Sequence, residues 1–231
     1  SHALRTAENH LRSGESHPNE PGKWGSTYHL VMYDPLSGDV QYKTTVQGYA
    51  TESTWARGQA WALYGFTMVA RETGDGRMLD SARSAADFFV ENLPTDHVPY
   101  WDFDAPNIPD EPKDTSAAAI AASGLLELAT LTDVPSEAER YRSAACGILD
   151  ALCTDYLFEG PDGEPAGSAI LREGYYGRPA GTIWGDYYFI EALQRYESVP
   201  EPVSAAVLGV GGLLLLLRRR VRRQVLRGRR V

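Results

Sequence analysis

The strongest constraint on this chain is a recurrence of helical pattern. Residues 53–72, 75–92, 114–131, 136–157 and 184–196 each place apolar side chains at helical spacing, and residues 1–13 read as the end of a further helix. Ser53 or Thr54 is the expected N-cap of the first of these, with Gly74 just past its end. Ser136-Glu137-Ala138-Glu139 has the form of a capping box. Six helices of this kind favour an all-α fold built from helical pairs. One β-hairpin interrupts them: residues 28–33 and 40–45 are rich in β-formers, and 34–39 supplies the turn. Residues 159–167 and 172–181 are Gly/Pro-rich and read as loops, where function often resides.

Charge divides the chain in two. Its 231 residues carry a net charge of −9, from 22 Lys+Arg and 31 Asp+Glu. Residues 218–231 hold eight Arg and no acid, which leaves a body with 14 basic and 31 acidic side chains, a charge of −17. Such a body is not built to bind nucleic acid. Cys146 and Cys153 lie on one helix about 10.5 Å apart in rise, too far to bridge, and read as buried small residues. The five histidines show no paired spacing for a metal.

The basic end belongs to a three-part tail. Val199-Pro200-Glu201-Pro202 is followed by the uncharged stretch 203–217 and then by the Arg cluster 218–230. As a helix the uncharged stretch spans about 22 Å, short of the ~30 Å hydrocarbon core unless flanking Arg side chains snorkel. The order of parts resembles the bacterial PEP-CTERM sorting signal, which implies recognition and cleavage by an exosortase-type processing enzyme after export. A plain C-terminal membrane anchor is the alternative. Either reading predicts a transmembrane-like helix, a cytoplasm-facing Arg cluster and an exported body, periplasmic or at the cell surface. The expected division is a body over 1–197 and a tail over 198–231.

Within the body, Thr54-Trp55-Ala56-Arg57-Gly58-Gln59-Ala60-Trp61 is the most informative stretch. Arg57 falls in the first turn of a helix, where the dipole disfavours a cation, so an anion is expected between it and the helix end. Arg57 and Trp61 share a face, and a guanidinium beside an indole suits an acidic sugar. The alternative is a structural ion pair among core aromatics. His29 lies on the first hairpin strand and Gln47 follows the second; a lone strand His is commonly structural. Asp102 and Asp104, set between aromatics, either form a carboxylate pair for acid/base work or cap loops and helices.

The stretch from Thr54 to Phe66 resembles the signature of family 88 glycoside hydrolases, the unsaturated glucuronyl hydrolases. The stretches from Tyr100 to Pro106, from Lys113 to Ala122 and from Gly181 to Leu193 resemble later blocks of that family, in order. The resemblance implies a partial (α/α)6 barrel, about half of its hairpins. It implies hydration of the 4,5-double bond of an unsaturated uronic acid at the non-reducing end of a lyase-generated oligosaccharide: an aspartic acid protonates C4, water adds at C5, and the hemiketal collapses. It implies no metal or organic cofactor. His29, Gln47, Trp55, Arg57 and Trp61 are the implied substrate-binding residues, with Arg57, His29 and Gln47 at the uronate and the tryptophans as sugar wall. No catalytic residue is implied in this chain, because the family's aspartates precede the matched region. Unsaturated rhamnogalacturonyl hydrolases share some of the pattern, and a non-catalytic carbohydrate-binding surface protein is a further alternative.

Overall fold

A computed structural model of the chain describes residues 2–158 and 169–198. Among them the order is α1 (His2–His10), a 3-10 turn (Pro21–Lys23), β1 (Leu30–Tyr33), β2 (Val40–Thr44), α2 (Ala56–Thr73), α3 (Gly76–Glu91), α4 (Thr115–Leu131), α5 (Pro135–Asp155), β3 (Gly174–Tyr175), β4 (Pro179–Ala180) and α6 (Ile183–Ser198). β1 and β2 form the expected antiparallel hairpin, with Leu30 opposite Thr44. Asp34 closes it by accepting the N–H groups of Leu36 and Ser37. The segment read as loop over 172–181 contains the two-residue ladder β3–β4.

The helices form two layers. α2, α4 and α6 lie side by side, with α4 in the middle, and α3 and α5 pack behind them as the returning arms of hairpins. α4 can occupy the middle because its sequence is apolar or small on every side; it is buried from Thr115 to Leu126 without a break. Gly124 lets α2 approach: a Cβ there would fall 2.3 Å from Leu63 Cδ2 and 3.1 Å from the Tyr64 Cα. α6 packs against α4 but leaves Ile183 and Tyr187 exposed. On the far side of α2, Gly58, Ala62, Gly65 and Val69 line a cavity of about 490 Å³ shared with α1 and the hairpin. This alternation agrees with the expected helical hairpins.

Helix ends follow local chemistry with two corrections. Gly74 ends α2 in the left-handed conformation at φ 66°, and Asp75 and Asp114 cap α3 and α4 with their side chains. Neither Ser53 nor Thr54 caps α2. Its N-cap is Trp55, with no side-chain bond. The Ser53 hydroxyl is drawn to Asp102, and the Thr54 hydroxyl is buried without a hydrogen-bond partner among the described residues. The capping box at Ser136 does not form either. Pro135 enters at the first helical position, Val134 is the N-cap, and Thr132 Oγ1 bonds Glu137 instead.

Cys146 and Cys153 are free; burial pushes the Cys153 thiol up to about 12, which suits a packing role. Among the described residues no helix is long and apolar enough to cross a membrane, and no cluster of His, Cys, Asp and Glu suits a metal. The transmembrane-like stretch 203–217, the Arg cluster 218–230 and the loop 159–167 lie outside the described residues.

Candidate substrate-binding site

α2, α4 and α6 begin at one end of the molecule, and the segments leading into them are stitched together. The Ala56 N–H donates to Trp101 O and the Phe103 N–H to Thr54 O. The Asp114 N–H donates to Pro99 O and the Thr115 N–H to Glu173 O. This end therefore gathers the positive poles of helix dipoles.

Asp102 and Asp104 serve the stitching. Asp102 is fully buried and accepts from the Tyr49 N–H (2.9 Å), Ser53 Oγ (2.7 Å) and the Asp104 N–H (2.9 Å). Asp104 accepts from the Thr54 N–H and pairs with Lys23. Of the two readings open in the sequence, these contacts match loop capping.

Arg57 sits one turn further in and is 3% exposed. Its Nη1 donates to Asp114 Oδ2 (2.8 Å), Ser116 Oγ (3.1 Å) and Tyr175 O (2.6 Å), and its Nη2 to Gln47 Oε1 (2.9 Å). The anion that a cation in a first helical turn calls for is thus present within the chain: it is Asp114, the cap of the neighbouring helix. Burial pushes the Asp114 carboxyl up, against the opposing pull of Arg57, and pushes Arg57 down. A guanidinium does not give up its proton in a protein, and both Asp114 oxygens face donors, so the pair is ionic. The guanidinium lies 4.8 Å from the Trp55 ring and 5.5 Å from the Trp184 ring.

His29 also packs on Trp55, the two rings 4.4 Å apart. Its Nδ1 is approached by Thr45 Oγ1 (3.0 Å) and by the N–H groups of Val46 (3.3 Å) and Gln47 (3.4 Å). The two backbone N–H groups can only donate, so Nδ1 is an acceptor and the Thr45 hydroxyl donates to it as well. Three donors on Nδ1 fix the tautomer with hydrogen on Nε2. Burial, then Arg57, then His10 lower the His29 pKa, so the ring is a neutral hydrogen-bond donor at neutral pH.

The five sequence-predicted residues fall into two linked groups. His29, Trp55 and Trp61 line the cavity of about 490 Å³. Arg57 and Gln47 are bonded to each other beside Trp55 and are not among the residues lining that cavity. Trp61 leans edge-on against Tyr188 of α6, at 5.1 Å. Gln59, in the same motif, is structural: fully buried, it joins Gly25, Thr27 and Ala85. Asp114, Ser116, Tyr175 and Trp184 complete the surroundings of Arg57 and carry no role in the sequence reading. Asp114 is there only the first residue of the helical stretch 114–131, and nothing in sequence says which cation it meets 57 residues away.

No protein-family model matches the chain. The chain is similar to unsaturated glucuronyl hydrolases. It is 42% identical over 179 residues to the unsaturated glucuronyl hydrolase of Bacillus sp. (strain GL1), covering 74% of this chain and 47% of the relative. The unsaturated glucuronyl hydrolase of Formosa agariphila is 42% identical over 183 residues, covering 75% of this chain and 44% of the relative. The crystal structure of the Bacillus sp. GL1 enzyme, described as responsible for the degradation of glycosaminoglycan, superposes with a TM-score of 0.75 at 36% identity, over 85% of this chain and 50% of that one. A Streptococcus agalactiae unsaturated glucuronyl hydrolase mutant complexed with dGlcA-GalNAc6S gives a TM-score of 0.65 at 35% identity, over 77% and 48%. The chain spans about half the length of the curated relatives it matches.

Proposed function

We propose that this chain is the C-terminal part of an exported unsaturated glucuronyl hydrolase, and that it supplies the uronate-binding side of the cleft. The observation that carries the reading is Arg57, held by Gln47 and flanked by Trp55 and Trp184, at the shared start of α2, α4 and α6. A cation between indoles suits a ring that is apolar on its face and anionic at its edge. His29, presenting Nε2–H, adds a neutral donor, and Trp61 extends the aromatic wall. In the proposed reaction the 4,5-double bond of the non-reducing uronic acid is hydrated and the remaining saccharide is released. The proton for C4 comes from a carboxylic acid outside the described residues, because Asp102, Asp104 and Asp114 are each engaged in hydrogen bonds or ion pairs.

Those same engagements favour a second reading, in which the chain alone binds saccharide without turning it over. Incubation with a 4,5-unsaturated glucuronyl disaccharide separates the two. Loss of the ultraviolet absorbance of the double bond supports catalysis, and binding with absorbance unchanged supports the second reading. Turnover of the rhamnogalacturonan-derived substrate alone would replace both with a rhamnogalacturonyl hydrolase.

The tail completes the proposal. Residues 198–231 act as a PEP-CTERM-type sorting signal on a body over 1–197: the segment anchors transiently in the membrane and is removed by an exosortase-type enzyme outside the cytoplasm. Polysaccharide lyases release unsaturated oligosaccharides in that compartment, which agrees with the proposed substrate. Fusing 198–231 to an exported reporter tests this. Uncleaved reporter in a cell that processes an authentic signal would sink it.

A further inference from the structure

Asp114 makes more contacts than a helix cap needs. Its Oδ1 accepts from the Ser116 N–H (3.1 Å), Ser116 Oγ (2.5 Å), the Ala117 N–H (3.2 Å) and the Tyr175 N–H (3.2 Å). Its Oδ2 is left for Arg57 Nη1. One oxygen therefore holds α4 and the strand that leads toward α6, and the other holds the guanidinium of α2. The chain of bonds continues through Arg57 Nη2 to Gln47 Oε1, and from the Gln47 N–H to His29 Nδ1. Four separate segments meet along it, and the carboxylate is fully buried at its centre.

We propose that Asp114 is the positioning residue of this site, setting the plane of the Arg57 guanidinium so that Nη1 is consumed inside the protein and the Nη2 edge beside Gln47 meets the ligand carboxylate. The ligand named here rests on the proposed uronate reading; the geometry does not. Nη1 already has three acceptors and has no proton left for a fourth. Nη2 has one acceptor and a second N–H. Without Asp114 the guanidinium is free to rotate about its own stem and offer either edge.

Asp114→Asn separates positioning from capping and from charge. The amide oxygen keeps the Oδ1 bonds, and asparagine caps helices about as well as aspartate. The amide NH₂ then faces Nη1, donor against donor, and turns the guanidinium away. The measurement is the Arg57 side-chain N–H spectrum by NMR, with a titration of the unsaturated glucuronyl disaccharide and a thermal melt of each protein. In the wild-type chain the Nη protons are expected to be resolved and slow to exchange. In Asp114→Asn they are expected to collapse, with affinity weakened about tenfold or more, the scale of a lost hydrogen bond to a charged group. If Asp114 only neutralised Arg57, removing its charge would tighten binding, and that result overturns the proposal. Affinity per folded molecule left unchanged also overturns it. Failure of the wild-type chain to bind would count against the uronate reading, and the Arg57 spectrum would still decide: unchanged Nη signals in Asp114→Asn refute positioning. Should that variant not fold, Ser116→Ala takes its place, since it removes a hydroxyl bonded to both partners and keeps the cap and both charges. Broadened Arg57 signals and an affinity reduced about threefold are expected, and an unchanged spectrum refutes the proposal.

Discussion

Two sets of carboxylates stand at the entrance of α2 and look alike in sequence, each following aromatic or proline-rich loop residues. The buried Asp102 spends its oxygens on backbone N–H groups and a hydroxyl, and the half-buried Asp104 bonds the Thr54 N–H and pairs with Lys23 near the surface, so together they build the loop that carries Tyr49 to Thr54. Asp114 divides its two oxygens between backbone and a buried cation. What a buried acid does is therefore decided by what its second oxygen faces. An acid closed on backbone fixes a fold, whereas an acid closed on a guanidinium also fixes where a charge points.

The largest way to break this comparison is to remove the cation. Arg57→Ala leaves Asp114 buried without its partner and should destabilise the chain by about 3–5 kcal/mol in a urea or thermal melt, together with loss of uronate binding. Asp102→Ala should cost about 2–3 kcal/mol, because it strands buried donors, but should leave affinity per folded molecule unchanged. If Asp102→Ala abolished binding without loss of stability, the division between the two sets would fail. Gly58→Ala places a Cβ 2.8 Å from Trp55 Cε3, which the indole must yield to. A stability change of about 1 kcal/mol with weaker saccharide binding is expected, read from a melt and a titration. The smallest effect is in pH. Burial holds His29 and His10 below the ordinary histidine value of 6.5. The folded state binds protons less readily than the unfolded one, so stability is full above that value and falls as pH drops through it toward the folded values. His29→Asn should flatten that fall, and a pH series of melts would show whether it does.

Much of this was legible before any coordinates. The apolar run of α4 announced a helix covered on all sides, and Gly74, Asp75 and Asp114 marked helix ends where they occur. Ser53 and Ser136 misled because capping is a competition. Asp102 took the Ser53 hydroxyl, and Pro135 opened α5 ahead of Ser136. Thr54 stands one residue too early, since the chain turns helical after Trp55. At the site, the dipole argument required an anion beside Arg57; the ion-pair alternative matches the Asp114 contact, but the sequence did not say which carboxylate would supply it. Trp184 was equally hidden, since its approach to Arg57 depends on how α6 packs beside α4.

On the proposed function, the Arg57 end of the molecule recognises an unsaturated uronic acid. The most direct measurement is a calorimetric titration of the chain with a 4,5-unsaturated glucuronyl disaccharide and with the same disaccharide as its uncharged methyl ester. Saturable binding of the acid at millimolar concentration or below, with the ester bound far more weakly, is the predicted result. Equal binding of acid and ester, or no binding of either, would contradict it.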